Sequence, residues 1–464
     1  MKMNKNKKIT IIVLVVIIYS ILLVKFASNP TVLISSKTND KYLSRFIENY
    51  NILKENWYYF QGEKEVLEAA TNAMTNSNSD NDHYSQYIES DQSEEYFENM
   101  DSAYVGIGIQ YFTAGQYPLV TKVYPNSPAS KAKIKVGDVI EKIDNKDISK
   151  MKSEDIKALV VGQAGTKVEI TLKRSNKEIK VSPVRAELDT SVQYSVINKK
   201  GYIKIDEFSK TTDVEVKKAL DYLKAKNVKT LILDLRNNPG GYLDALERTA
   251  DLFLKKDQVI LKTKDKNNEI LEYKTTEKAY YENDKILLLV NNNTASAAEA
   301  FTAAMNENLN IPIYGETTFG KGIMQNFFEY SDKAYLKYTS AEWLTPKGNS
   351  INKKGIEPTN KVSKGAVFEA TNYSYSFEKD LKNDTVNGNL ISYQKALKAL
   401  GYDCKREDGY YSNDTKKAVE KLKNKYNLSK EKDLSIVVQA KIVETIFVEI
   451  NDIANDKVLQ EVIK

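Results

Sequence analysis

The chain has 464 residues, with 68 Lys and Arg against 63 Asp and Glu, and its net charge of +5 is spread too evenly to form a stripe for nucleic acid. A single cysteine, Cys404, and a single histidine, His83, exclude an intramolecular disulfide, a His- or Cys-rich zinc centre, and any histidine-based triad that does not use His83. Roughly three domains fit this length.

At the N-terminus Lys5, Lys7 and Lys8 precede the apolar run Ile9–Val24, closed by Lys25. The run is short for a span and long for a signal-peptide core, and no small-x-small cleavage site is evident. Residues 1–30 therefore read as an uncleaved, single-pass signal anchor in the cell membrane, with the lysines inside and the functional body outside the cytoplasm. A cleaved signal peptide is the alternative. Residues 31–101 are polar and helical in pattern, with Tyr42, Phe46, Tyr50 and Leu53 recurring every three or four positions, and Asp82–Tyr87 reads as a turn. Short alternating strands such as Leu119–Val123 and Lys167–Leu172 occupy 102–186. From 187 to 365 strands alternate with helices: Gly201–Ile205, the amphipathic Val214–Leu223, Thr230–Leu235, then the buried-type run Ile286–Val290. That pattern predicts a mixed or parallel sheet covered by helices. A polar linker is expected over 366–386, a compact helical module over 387–450, and a tail over 451–464. The fold class is α/β multi-domain: a mixed α/β core, a helical N-terminal region, an inserted β-rich domain and a small all-α C-terminal module.

Two motifs carry explicit chemistry. Thr294-Ala295-Ser296-Ala297-Ala298-Glu299 follows the apolar run Ile286–Val290 and opens an Ala-rich helical stretch. A serine there has free N–H donors and the positive end of a helix beside its oxygen, although capping is the commoner use of such a residue. Gly320-Lys321-Gly322-Ile323-Met324-Gln325 places a lysine between glycines, a poor site for a regular helix. Without a histidine base, a lysine whose pKa is lowered by burial can take the proton of a serine nucleophile, and Ser-Lys is a recognised variant of the nucleophile-plus-base arrangement. Between Thr230–Leu235 and the next helix, Asn238-Pro239-Gly240-Gly241 forms a turn whose N–H groups are suited to an oxyanion, or which is simply a tight βα connection. No Gly-x-Ser-x-Gly elbow of a lipase or esterase is present.

Together these residues resemble the carboxyl-terminal processing (tail-specific) serine peptidases, over roughly residues 40–365. The nucleophile motif is similar at Thr294–Glu299, with Ala298 where the family has a second serine. The Gly-Lys-Gly and Gln elements match at 320–322 and Gln325, the Asn-Pro-Gly-Gly element at 238–241, and Thr-Pro-x-Gly at 345–348. The resemblance implies that Ser296 attacks the scissile carbonyl, Lys321 is the general base, and Gln325 holds Lys321 by a hydrogen bond. It assigns the oxyanion to N–H groups of Gly240 or Gly241 and Ala297, and it implies no metal and no cofactor. His83 falls in a segment that the resemblance makes structural.

Residues 102–186 look like a PDZ domain. Val105, Gly106, Ile107 and Gly108, within Tyr104–Ile109, would hold a peptide's terminal carboxylate while the next strand pairs with the peptide. Relatives often carry Arg before the glycine at Val160-Val161-Gly162, so a regulatory contact by that arginine is not carried over. Residues 387–450 look like the three-helix peptidoglycan-binding module of cell-wall enzymes, through Gln394–Tyr402, Asp408–Tyr411 and Thr415–Val419. Leu422-Lys423 replaces the usual Phe-Gln pair, and a plain helical dimerisation domain is the competing reading. The expectation is a membrane-anchored, extracytoplasmic serine endopeptidase acting on proteins with exposed C-termini, with peptidoglycan and a second copy of the chain as further partners. Removal of 387–464 is expected to leave peptide cleavage intact. A silent scaffold that tethers protein tails is the alternative, disfavoured because a scaffold has no need of Ser296, Lys321 and Gln325.

Overall fold

A computed structural model describes residues 40–464 except 79, 81, 102–104, 114–116, 175–176, 189–190, 282–284 and 378. The expected anchor over 1–30 and Tyr104 of the expected carboxylate loop lie outside the described residues. No helix among the described residues is long and apolar enough to cross a membrane.

Two compact units divide between Met74 and Thr75. The first contains α1 (Lys41–Asn56) and most of α2 (Glu63–Thr75). Asp40 starts α1 by accepting the N–H groups of Tyr42 and Leu43 at 2.8 and 3.3 Å. The apolar period seen in the sequence is helical here, and its Tyr42, Phe46 and Leu53 side chains are exposed.

The second unit begins with a correction to the sequence reading. Residues 86–88 form β1 (Gln86–Ile88), which pairs antiparallel with the strand Tyr335–Leu344, so the end of the supposed N-terminal region belongs to the α/β core. Helix α3 (Ser90–Asp101) follows, and its Phe97 packs on Phe327 and Tyr335 with ring centroids 5.3 and 4.8 Å apart.

The β-rich domain contains β2 (Val105–Gly106), β3 (Ile109–Phe112), β4 (Leu119–Val123), α4 (Pro128–Lys131), β5 (Val139–Ile143), β6 (Lys146–Asp147), α5 (Ser153–Val160), β7 (Ile170–Arg174), β8 (Lys177–Val181) and β9 (Ala186–Glu187). Its main sheet runs β3-β4-β5-β7-β8, leaving β3 at an edge, and β2 pairs with β9. Ile107, Val120, Ile140, Val168 and Leu172 fill its core. Asp138 is buried but doubly paired, accepting from Arg174 Nε at 2.6 Å and Nη2 at 2.7 Å.

The α/β core comprises β10 (Val192–Ile197), β11 (Lys200–Ile205), α6 (Thr212–Ala225), β12 (Thr230–Asp234), α7 (Leu243–Asp251), β13 (Val259–Asp265), β14 (Ile270–Lys274), β15 (Lys285–Val290), α8 (Ala297–Leu309), β16 (Ile313–Gly315), β17 (Ile323–Glu329), β18 (Tyr335–Leu344) and β19 (Asn360–Lys361). One sheet has the order β10-β11-β12-β15-β16-β19, antiparallel only at β10/β11. A second has β1-β18-β13-β14, with β17 on β18. Strands buried on both faces need apolar residues at every position. In β12 and β15, Leu231, Leu233, Leu288 and Val290 face the cluster formed with α6, α7 and α8. Ile232, Leu287 and Leu289 face the opposite way, as the two-residue period of a strand requires.

The C-terminal part supplies the cover for that opposite face. Helices α9 (Ala366–Ala370), α10 (Leu390–Ala399), α11 (Asn413–Lys425) and α12 (Ile436–Ile450) build the helical module, followed by α13 (Lys457–Ile463). The stretch 366–386, expected as a linker, instead contributes Ala370, Tyr375 and Leu381 to the module's core. The expected tail is α13, whose Val458, Leu459, Val462 and Ile463 pack on Ile232, Leu287 and Leu289. Removing 387–464 would uncover the core sheet, so the module and the core are not separable in the way the sequence suggested.

Candidate active site

Strand β15 delivers a loop whose polar groups are nearly all engaged. Thr294 Oγ1 accepts the Asn291 N–H at 3.0 Å and donates to the Leu235 carbonyl at 2.9 Å, while the Ala295 N–H donates to the Asn238 carbonyl at 2.9 Å. Ser296 ends this loop as the residue before α8, with φ 54° and ψ −121°. A non-glycine residue held in such a region costs about 1–3 kcal/mol and persists only where its surroundings fix it. The bonds around Thr294 and Ala295 do so. The Glu299 N–H is bonded to the Ser296 carbonyl at 2.9 Å. Small Ala295 and Ala297 flank the serine.

The turn after β12 packs directly against this serine. Buried Asn238 donates to the Ile205 carbonyl at 2.9 Å and accepts the Gly240 N–H at 2.8 Å. Gly240 has φ 110°, and a Cβ there would lie 2.7 Å from Ser296 Cβ, so only glycine brings the backbone this close. Gly240 therefore spends its N–H on Asn238, which corrects its candidacy as an oxyanion donor. Among the described residues no hydrogen bond engages the N–H of Gly241 or of Ala297.

Glu299 joins the serine loop to the lysine loop. Fully buried, it accepts the N–H of Ser296 at 2.9 Å and of Lys321 at 2.9 Å on Oε2. On Oε1 it accepts the N–H of Gly320 at 2.7 Å and the Thr318 hydroxyl at 2.5 Å. Trp343 holds the other side of the lysine loop, donating Nε1–H to the Lys321 carbonyl at 2.8 Å and its backbone N–H to the Gly322 carbonyl at 3.0 Å. Sequence reasoning quoted Glu299 without assigning it work. The available signal was a glutamate three residues after a serine that opens a helix, the capping-box spacing.

The Lys321 ammonium lies 4.4 Å from the Tyr84 ring centroid. Burial, then the nearby charge of Lys337, lower its pKa to about 8, against the opposing pull of Asp82 and Glu299. Gln325 does not make the expected bond to Lys321; its amide donates to Thr339 Oγ1 at 3.2 Å, and that hydroxyl donates to Asp82 Oδ1 at 3.0 Å. Asp82 also accepts the Ser85 hydroxyl at 2.5 Å and the Tyr84 N–H at 3.0 Å. His83 itself is exposed. The segment around it thus acts as a wall for Lys321, through Tyr84 and Asp82.

Ser296, Lys321, Gln325, Gly240, Gly241 and Ala297 all line one cavity of about 970 Å³. Leu246, Leu261, Met324 and Trp343 give it apolar walls, and Tyr96 and Phe97 of α3 close over it. Glu207 also faces it, with its pKa pushed up to about 7 by burial and then by Asp206 and Glu215. Val105, Gly106, Ile107 and Gly108 are not part of this cavity. They comprise strand β2 and the two residues joining it to β3 in the β-rich domain, where Gly106 pairs with Ala186, the Ile107 carbonyl accepts from Ala129 at 2.8 Å and the Gly108 carbonyl from Tyr124 at 3.0 Å. Lys122 of β4 ties that domain to the core through Asp206 at 3.0 Å, next to Glu207.

Residues 199–362 match the model of Peptidase family S41, residues 119–174 that of the PDZ domain, and residues 387–431 that of the putative peptidoglycan binding domain. The carboxy-terminal processing protease CtpA of Bacillus subtilis (strain 168) is 33% identical over 437 residues, covering 92% of this chain and 92% of that protein. The probable CtpA-like serine protease of Staphylococcus haemolyticus (strain JCSC1435) is 32% identical over 425 residues, covering 89% and 83%. Among solved structures, the photosystem II D1 C-terminal processing protease matches with a TM-score of 0.44 and 24% identity, over 69% of this chain and 87% of that one.

Proposed function

The chain belongs to the carboxy-terminal processing serine peptidases of family S41, and from that premise we propose that it is a membrane-anchored, extracytoplasmic endopeptidase that cuts proteins near their C-termini with a Ser296–Lys321 dyad. The observation that carries this reading is the junction of the two loops at Glu299, which fixes the backbones of Ser296 and Lys321 with a single carboxylate.

In the proposed reaction the neutral Lys321 amine takes the Ser296 proton as the serine oxygen attacks the scissile carbonyl. The N–H groups of Gly241 and Ala297 receive the developing oxyanion, a charge that exists only in the transition state and intermediate. The resulting ammonium then protonates the departing amine, and the regenerated amine activates water against the acyl-enzyme. Gln325 acts on this site through Thr339 and Asp82. The apolar walls suit an apolar side chain beside the cut bond.

The segment Val105–Gly108 is the proposed seat of the substrate's terminal carboxylate, and the edge position of β3 supports strand addition by the substrate tail. The run Ile9–Val24 behind three lysines supports the anchor, and the exposed Tyr42, Phe46 and Leu53 of α1 support pairing with a second copy. Retention of the module over 387–431 supports contact with peptidoglycan.

The test is cleavage of a loosely folded protein with an apolar C-terminus by residues 31–464 and by its Ser296→Ala counterpart. Cleavage by the parent alone is expected. Cleavage by both, or by neither in the presence of a PDZ-binding peptide, refutes the proposal.

A further inference from the structure

Arg236 leads from β12 into the turn that carries Gly240 and Gly241, and its side chain is only 11% exposed. On one side it clasps Asp234, with Nε at 2.9 Å from Oδ1 and Nη2 at 2.6 Å from Oδ2, and Tyr202 donates its hydroxyl to the same carboxylate at 2.7 Å. On the other side stands Asp456, 220 residues away in the chain, accepting from Nη1 at 2.7 Å and from Nη2 at 2.8 Å. Asp456 is also the cap of α13, taking the Leu459 N–H at 2.9 Å.

Charge balance does not require this second aspartate. Asp234 already neutralises Arg236, and burying a further carboxylate costs solvation. What Asp456 adds is geometry: two bidentate contacts fix the guanidinium plane, whereas one leaves it free to pivot about Asp234. Beyond Arg236, the Asn237 N–H is bonded to Asn291 Oδ1 at 2.9 Å, and the Asn238 carbonyl to the Ala295 N–H at 2.9 Å. The path from α13 to the serine loop is thus continuous and made of bonded groups.

We propose that Asp456 is a positioning residue for hydrolysis: through Arg236 it seats the turn that presents Gly241 to the oxyanion, so that this one contact, and not the apolar packing of the last helix, sets the catalytic rate. The inference rests on the dyad reading above. It also gives the C-terminal module a route to the active site, because the chain runs directly from α12 through residues 451–456 into that contact.

The test uses the 31–464 protein and three variants. Asp456→Asn keeps the cap, because Asn caps helices as well as Asp, but turns an amide N–H toward the guanidinium; Asp456→Ser also keeps a capping oxygen and removes the second clasp. Leu459→Ala loosens α13 without touching Arg236. Initial rates and labelling of Ser296 by a fluorophosphonate are read at a temperature where circular dichroism finds each variant folded. Both Asp456 variants are expected to lose roughly ten- to a hundredfold in kcat and in labelling rate with KM within about twofold, the mark of an interaction used in the transition state. Leu459→Ala is expected to lower Tm and keep kcat. Parental kcat in either folded Asp456 variant overturns the inference, and so does an equal loss in Leu459→Ala. A parent that neither cleaves nor labels overturns the peptidase reading, and this inference with it.

Discussion

Lys321 commits the proposed mechanism to a particular pH dependence. With a pKa of about 8, the neutral amine makes up about one-tenth of the molecules at pH 7 and about nine-tenths at pH 9, so kcat/KM should rise close to tenfold along a one-proton curve. The two charges that act on Lys321 from opposite directions allow a sharper test. Lys337 lines the same cavity and disfavours the ammonium; Asp82 favours it. Lys337→Met should therefore move the midpoint upward, and each unit of movement costs about tenfold in rate at pH 7 while rates near pH 10 converge on the parent. Asp82→Asn should move the midpoint downward, even though its plateau falls with the loss of the bonds to Ser85 and Thr339. The assay is initial-rate cleavage of a quenched fluorescent peptide from pH 6 to 10 at constant ionic strength. A midpoint near 6.5 that ignores both substitutions, or shifts of the same sign in the two variants, would refute the lysine as base.

The same lysine has a cost in stability. Its ordinary pKa is 10.5 and its folded one about 8, so between these values the unfolded chain holds more protons and stability rises with pH. Lys321→Met should abolish hydrolysis yet raise Tm, with the gain full below pH 8 and fading toward pH 10.5; a gain that grows with pH in thermal melts would contradict this sign. Glu299→Gln places an amide N–H among four donors, two of which keep an acceptor at best. A loss of about 1–3 kcal/mol in urea unfolding is expected, together with slower fluorophosphonate labelling, and unchanged labelling would remove Glu299 from the positioning role. Deleting 387–464 exposes Ile232, Leu287 and Leu289 and should yield an unstable or insoluble core, whereas an active, cooperatively folding truncation would show that α13 is dispensable.

Local chemistry was legible in the sequence where a few adjoining residues carry it. Ser296, Lys321 and the 238–241 turn each announce themselves through small or glycine neighbours that only close backbone approach demands. The order of layers was legible for the same reason, since β12 and β15 are apolar at successive positions. Roles that depend on contacts between distant residues were not. Gly240 looks as good a donor as Gly241 until Asn238 is seen to occupy its N–H, and Gln325 looks like a partner for Lys321 until its amide is seen to donate to Thr339. Average polarity misled at 366–386, where a polar composition hides Ala370, Tyr375 and Leu381 at the positions that pack.

The tail was the most instructive error because both halves of the answer stood in the sequence. Val458, Leu459, Val462 and Ile463 have the spacing of one helical face, and the double-sided apolar strands required a second cover that the helices α6, α7 and α8 on the first face could not provide. Matching an orphan apolar stripe to an uncovered sheet face would have placed the last helix on the core. Once there, its cap residue Asp456 arrives at the end of β12, beside the arginine that begins the turn carrying Gly240 and Gly241. The contact of the C-terminal segment with Arg236 is therefore a consequence of closing the sheet, and under the positioning role proposed for Asp456 a domain boundary drawn at residue 365 separates that residue from the turn it seats.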